Sequence, residues 1–482
     1  MQAAIEARAV SHRTRAGNVA VRDISLTVGH GELVAIIGGR GSGKTTLLDA
    51  MSGLRPPTSG TIVRPVGRPG GYVPEGDTLH EVLPLARALR YTAELRSVRA
   101  ASAAAAPGSV AAEDGYPQAV TKALDLAGLT ARGPVPVGAL TQEERKRAAI
   151  AAELLSRPAQ LFLDEPTAAL DPAQGAEVLR LLRRLADGGI TVVLTTSSPL
   201  DAARCDKVIV LATGGHLAFF GTPAAALGYF GADSLEEIFE RLAGLGDPAA
   251  AWSRRFFQFS RTRGGFTAPP TTPPAPGPAF LLPDAAGPHS AGRVSAWLAG
   301  TSAVIDEDPP ASAVRPDPGP PPDARAAAPV RQWAVLTMRN AEVLARDRRM
   351  QAVLAGTPAA LLLAFCVLLG CGALDGRGAV TLAWAVLGGL VAGLAYQLPA
   401  RSAEAGILRR ERFAGLSTGA FVLAKVTVLL PLLALADVLI LAVPAIDDHL
   451  AAGFGPAYLA VLLSSLAGLA VALAAPVVAA RR

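Results

Sequence analysis

Leu33-Val-Ala-Ile-Ile37 runs directly into Gly38-Gly39-Arg40-Gly41-Ser42-Gly43-Lys44-Thr45-Thr46, and a helical pattern continues to Met51. A short apolar run, a glycine-rich loop ending in Gly-Lys-Thr and a helix form the strand, loop and helix order of a phosphate-binding loop. Each residue type has a task. The glycines let backbone N–H groups close around phosphate oxygens, and the N-terminus of the helix adds positive potential. Lys44 has the reach for the β and γ phosphates of a nucleotide, and Thr45 offers a hydroxyl to magnesium.

The second half of such a site is expected downstream. Leu161-Phe-Leu-Asp164-Glu165-Pro166 is an apolar strand ending in two carboxylates. Asp164 is placed to hold the magnesium shell with Thr45, and Glu165 to orient an attacking water. Between the two motifs, residues 1 to about 245 alternate β-branched or apolar runs such as Val192 to Thr196 with helical patterns, as a parallel α/β domain does. Residues 100 to 118, Ala-rich with Pro107, Gly108 and Gly115, read as a flexible insertion in a helical subdomain.

The order of motifs resembles the ABC transporter ATPase family and, within it, the bacterial G-type, white-like half-transporters that place the ATPase domain before the membrane domain. The resemblance is carried by the phosphate loop, Gly53-Leu-Arg-Pro-Pro-Thr-Ser-Gly60, Glu144-Arg-Lys-Arg147, Asp164-Glu165 and Ala169-Leu170-Asp171. Cys205-Asp206, Gly214-Gly215 and Phe220-Gly221-Thr-Pro223 look like the end of such a domain. Arg339 to Arg349 and Glu411 to Ser417 resemble its connecting helix and cytoplasmic coupling loop. The resemblance implies ATP and magnesium as cofactors. It also implies dimerisation through the ATPase domain, with itself or with a second chain, each ATP lying between one chain's phosphate loop and the other's signature sequence. The resemblance also makes Asp171 the D-loop residue that follows the carboxylates.

Several positions depart from the family. Where Leu-Ser-Gly-Gly is usual, this chain has Leu140-Thr141-Gln142-Glu143; Glu75 stands for the lid glutamine and Ser197 for the switch histidine. The signature change removes glycines and adds a carboxylate beside a γ-phosphate, and Ser197 is too short to reach that phosphate as a histidine does. ATP turnover is therefore expected to be slow. No aromatic residue occurs in residues 1 to 30, leaving His12 as the weak candidate for stacking on adenine.

The second half of the chain has another character. Residues 246 to 263 extend the ATPase domain, and from 264 to 330 repeated prolines, from Pro269 to Pro322, read as a disordered tether. Residues 331 to 350 carry Trp333, Leu336, Val343 and Leu344 among Arg339, Arg346, Arg348 and Arg349, the pattern of a basic amphipathic helix at a lipid surface. Four apolar runs follow in 351 to 482, at 351–372, 379–399, 420–444 and 456–479, each near the length of roughly 20 residues that crosses a bilayer. The family's membrane domain has six spans, so a separate chain supplying two more is one expectation and a shortened frame the other.

Composition agrees with this division. Hydrophobic residues make up 51% and charged residues 18%, a balance that tilts away from a soluble enzyme. The net charge of +5 comes from short clusters beside apolar runs and not from one basic face, which argues against nucleic acid as partner. Arginines at 346–349, 401–412 and 481–482 alternate with acidic loops at 375 and 447–448, so the expectation is a multi-pass protein of the cytoplasmic membrane, ATPase domain inside. The three cysteines show no metal spacing, and no cleavable secretion signal is read at the start. Asp437, deep in the third run, is a functional candidate or a protonated structural residue. Gly389 and Gly393 permit close helix contact. The expected function is ATP-coupled transport, in the export direction; the alternative is a degenerate ATP-binding regulatory or vestigial subunit with little hydrolysis.

Overall fold

The computed structural model describes residues 3–14, 17–64, 70–76, 78–102, 115–243, 249–262, 322–371, 378–395, 406–408, 410–412, 415–446 and 453–479. By its contacts the chain forms two compact units, the first holding 1–76, 106–132 and 140–315, the second 77–105, 133–139 and 316–482. Most of the proline-rich stretch expected as a tether, and the centre of the insertion at 100 to 118, lie outside the described residues.

The first unit is built on a nine-stranded sheet. Its strands are β1 (Ala3–Arg13), β2 (Val19–Gly29), β3 (Leu33–Gly38), β4 (Ser59–Val63), β5 (Gly70–Val73), β6 (Gln160–Leu163), β7 (Thr191–Thr195), β8 (Lys207–Ala212) and β9 (His216–Gly221). Their spatial order is β4-β1-β2-β9-β8-β3-β7-β6-β5. β3, β6 and β7 are apolar along nearly their whole length and fully buried, as strands covered on both faces must be. They pair in parallel, Leu33 against Val192 and Leu161 against Val192 on the other side, so their carboxyl ends lie side by side. Ligands of open α/β sheets bind outside that edge. Behind β3, helix α1 (Lys44–Ser52) buries Leu47, Leu48 and Met51 completely. The extension read at 246 to 263 includes a helix, Ala249–Thr262, whose Phe256 packs edge-on against Phe219 of β9 at a centroid distance of 5.6 Å.

The second unit is helical: α2 (Leu85–Ser102), then, after the residues of the first unit, the helices Pro322–Arg346, Arg348–Gly370, Gly378–Ala395, Thr418–Ile446 and Phe454–Ala479. The helix expected over 331–350 begins earlier, at Pro322, and is interrupted at Asp347, whose carboxylate accepts from the N–H groups of Arg349 and Met350 and so caps the next helix. Although residues 77–105 read in sequence as part of the ATPase half, polar contacts tie them to these helices. Arg87 and the Tyr91 hydroxyl both donate to Glu342, at 2.7 and 2.6 Å, and Arg410 donates to the carbonyl of Thr78 at 2.8 Å. A buried, two-pronged pair joins Arg339 to Glu411.

Among the described residues three helices are long and apolar enough to cross a membrane: Arg348–Leu368, Thr418–Ala442 and Phe454–Ala474. The apolar stretch of the remaining one, Val380–Ala395, is shorter, and the end of the expected 379–399 span lies outside the described residues. That shorter helix packs closely on Phe454–Ala479. Ser464 donates to the carbonyl of Val386 at 2.8 Å, and a Cβ on Gly393 would stand 2.1 Å from the carbonyl oxygen of Ser465. Asp437 is wholly buried and accepts from the Ser465 hydroxyl at 2.8 Å. This bond accounts for one carboxyl oxygen and favours the structural reading of that residue.

The backbone contact at Gly393 makes a test. Gly393→Val should force the two helices apart and destabilise the bundle by about 1–3 kcal/mol, the cost of overpacking. A thermal melt of the purified chain in detergent should show a lower midpoint than a control substitution at the exposed Val391; an unchanged midpoint would contradict the packing.

Candidate functional site

Three loops meet where β3, β7 and β6 end. The first is 38–43. Its last residue, Gly43, caps α1 in a left-handed conformation (φ 91°), and a Cβ there would fall 2.2 Å from the carbonyl oxygen of Ala20, so only glycine fits. The Lys44 ammonium folds back across the loop and donates to the carbonyls of Gly38 at 2.9 Å and Gly39 at 3.4 Å. The Ser42 hydroxyl is buried and has no protein partner among the described residues.

The second loop carries the carboxylates. Asp164 is anchored by its N–H to the carbonyl of Val73 at 2.8 Å, and one of its oxygens accepts from Thr45 at 3.1 Å and Thr195 at 2.7 Å. Glu165 is a non-glycine residue with positive φ (45°), held by a bond from its N–H to the Thr195 hydroxyl at 2.8 Å. Its carboxylate lies 4.0 Å from the Lys44 ammonium. The third loop brings Ser197, whose hydroxyl and N–H both donate to Glu165, at 2.6 and 3.1 Å.

Ser42, Gly43, Lys44, Thr45, Glu165 and Ser197 line one open cleft of about 710 Å³, together with Gly39, Arg40, Gly41, Thr46, Glu75 and Thr167, while Asp164 is buried and bonded to Thr45 of that lining. Lys146, from the helix Gln142–Leu154, donates to the carbonyl of Glu75. The donors suit magnesium: a hydroxyl and a carboxylate are hard oxygen ligands, and Thr45 on the cleft wall is already bonded to Asp164 behind it.

Other residues singled out from sequence stand elsewhere. Thr141, Gln142 and Glu143 do not line the cleft. Thr141 caps the helix beginning at Gln142 in a reciprocal capping box with Glu144, while Glu143 pairs with Arg147 at 3.1 Å. Asp171 caps the helix Pro172–Asp187 by accepting from Gln174. His12 lies in β1 opposite Val21 and is absent from the cleft lining. Sequence reasoning gave no role to Thr195, which donates to the Asp164 carboxylate and accepts from the Glu165 N–H, or to Asp201, which accepts from Thr167 at 2.5 Å and Thr196 at 3.3 Å. The threonine pair at the end of β7 was the available signal for the first; nothing local marked the second.

Residues 21–168 match the family model described as ABC transporter, and residues 331–480 the one described as ABC-2 type transporter. The chain joins an ABC transporter ATPase domain to an ABC-2 type transporter domain. The order, ATPase first, is that of the G-type half-transporters. Among curated proteins the chain is similar to the ABC transporter ATP-binding/permease protein Rv1747 of Mycobacterium tuberculosis, 37% identical over 268 residues, covering 54% of this chain and 29% of that protein. Similarity extends to ATP-binding cassette sub-family G member 5 of Homo sapiens, 37% identical over 226 residues, 44% of this chain and 33% of the other. The chain thus spans about a third of the length of these relatives. Among solved structures, cbiO1 from Clostridium perfringens, part of the ABC transporter complex cbiONQ, overlaps 47% of this chain and 92% of that one at 26% identity and a TM-score of 0.41. ABC ATPase domains bind ATP and dimerise.

If Lys44 has the phosphate-binding role its motif implies, Lys44→Ala should weaken binding of a fluorescent ATP analogue by at least about tenfold. Gly43→Ala should do the same by clashing with Ala20, while Arg40→Ala should cost much less. Equal affinity of the Lys44→Ala chain would remove the assignment.

Proposed function

We propose that this chain is a half-transporter that dimerises, binds MgATP at the described cleft and uses its hydrolysis to move a substrate outward across the cytoplasmic membrane. The observation that carries the reading is the convergence of Lys44, Thr45 and Glu165 on one cleft, with Asp164 bonded to Thr45 behind it, in a chain whose described residues also include three helices able to cross a membrane. The partner is a second copy or a related ABC chain. A further chain completing the membrane bundle, and lipid around the apolar helices, belong to the same proposal.

Roles follow from position. The N–H groups of residues 39–46 and the start of α1 receive the phosphates, and Lys44 neutralises their charge. Thr45 and Asp164 would hold magnesium, which supplies charge neutralisation when bound. Glu165 stands at the cleft wall with a carboxylate for the attacking water. Among these groups nothing is inconsistent with chemistry, but the signature helix is poorly equipped for a partner's γ-phosphate. Its Thr141–Glu144 capping box uses the third N–H of the helix internally, and Glu143 adds negative charge in the first turn.

Turnover should therefore be slower by about two orders of magnitude than with an intact signature, because one preorganised donor is typically worth that much. A steady-state ATPase assay on the chain in liposomes tests this. Gln142→Gly with Glu143→Gly should raise the rate at least about tenfold. Family-like turnover with no gain in the revertant would show that the signature change is harmless; no turnover in either would remove the hydrolytic reading.

The orientation is tested separately. A single cysteine at position 402, in a background lacking Cys205, Cys366 and Cys371, should resist an impermeant thiol reagent in intact cells and react after permeabilisation. Labelling in intact cells would invert the topology.

A further inference from the structure

We propose that Ser197 is the positioning residue for Glu165, fixing the carboxylate by a two-point hold that substitutes for a histidine at this place; the proposal rests on the reading of the cleft as a site of ATP hydrolysis. Read along the chain, Ser197 is a loss: a side chain too short to touch a γ-phosphate. The structure turns it the other way, toward the carboxylate on the neighbouring strand.

Glu165 sits in a conformation that a non-glycine residue adopts at a cost, with φ at 45°. Its backbone is held there by the Thr195 hydroxyl at 2.8 Å. Among the described residues the side chain's short-range hold comes from Ser197: the hydroxyl donates to one oxygen at 2.6 Å and the N–H to the other at 3.1 Å. Bonds to both oxygens fix the plane of the carboxylate as well as its place, which a single donor would not do. Each oxygen keeps a further lone pair for a water.

An exposed serine beside a carboxylate is commonplace, and one bond between them would carry little. What distinguishes Ser197 is the preparation of its loop. Thr196 donates its N–H to the carbonyl of Ile36 at 3.1 Å, which pins the loop to β3. The Thr196 hydroxyl donates to Asp201 at 3.3 Å and accepts from the N–H of Ser198 at 3.0 Å. Asp201, itself buried, accepts in addition from Thr167 at 2.5 Å, two residues beyond Glu165. The donor and the carboxylate it holds are therefore tied together twice, once directly and once through Asp201. Such bracing lowers the entropy lost when a water is brought to a fixed base.

The hold makes a prediction opposite to that of simple decay. If Ser197 were merely a degraded switch, Ser197→His would restore activity. If it positions Glu165, the imidazole removes the hydroxyl bond and leaves the rate no higher. Ser197→Thr keeps hydroxyl and N–H and should retain most of the activity. Ser197→Ala should lower kcat about tenfold or more with the KM for ATP nearly unchanged, because the lost bond is to Glu165 and not to the phosphate loop. In a Glu165→Gln background, Ser197→Ala should cost little further, since the two act as one unit.

The test is made on the full chain in liposomes, with kinetics of these variants beside amide hydrogen exchange. The Ser197 amide should exchange at least about tenfold more slowly in the unmodified chain than in Glu165→Ala, while the amides of β7 stay the same. Equal exchange at Ser197 overturns the hold. A Ser197→Ala chain with unaltered kcat, or a Ser197→His chain that is faster than the unmodified one, overturns the positioning role. Absence of ATP turnover in the unmodified chain removes the hydrolytic reading, and the exchange comparison still decides whether Ser197 holds Glu165.

Discussion

One oxygen of Asp164 accepts hydroxyl hydrogens from two residues that arrive on different strands, Thr45 after β3 and Thr195 at the end of β7. Much of the cleft depends on this junction. It joins the helix that follows the phosphate loop to the strand that carries the carboxylates, and Thr195 extends the same contact to the N–H of Glu165. The parallel pairing of β3, β7 and β6 makes it available, because only strands running the same way deliver their ends to one edge. The burial of these strands on both faces protects the junction from register slip, since every side chain has a place in the core.

In the second unit the constraint is the placing of polar groups among apolar helices. Asp437, wholly buried, takes a hydroxyl from Ser465, and Ser464 beside it donates to the backbone of Val386. Two successive serines thus serve two different neighbouring helices. Glycine at 393 permits the approach that brings them within reach. At the other kind of surface, Arg339 and Glu411 neutralise each other in a buried pair, an arrangement whose loss on one side leaves an uncompensated charge. The helix from Pro322 to Arg346 carries Arg339 of this pair and also Glu342, which gathers Arg87 and Tyr91.

The departures from family sequence have unequal structural consequences. Gln142 and Glu143 sit at the start of a helix whose third N–H is already taken by the Thr141 hydroxyl, so their effect falls on whatever that helix end meets in a partner. Ser197 keeps a relation to Glu165 that its size alone does not suggest. Glu75 lines the cleft with its carbonyl held by Lys146, an arrangement indifferent to whether the side chain is an acid or an amide.

The sequence by itself determined the phosphate loop, the paired carboxylates and the division into a nucleotide-binding half and an apolar half. These are local signals: glycine spacing, an unbroken apolar run ending in acids, and long helices with few charges each act within a few residues or one element. It also marked Gly393 as a contact-forming glycine, though without naming what it meets. Tertiary structure decided the rest. The nine-strand order, the bonds of Thr195 to the Asp164 carboxylate and the Glu165 N–H, the engagement of Asp201 with Thr167 and the grouping of residues 77–105 with the C-terminal helices all join positions far apart in the chain. The helix beginning at Pro322 was hidden by prolines, which read as breakers: Pro322 stands in the first turn, where proline is tolerated, but Pro329 lies inside the helix. Ser197 shows the limit most plainly: its distance from a phosphate follows from side-chain length, but its partner follows from which strand lies beside β7.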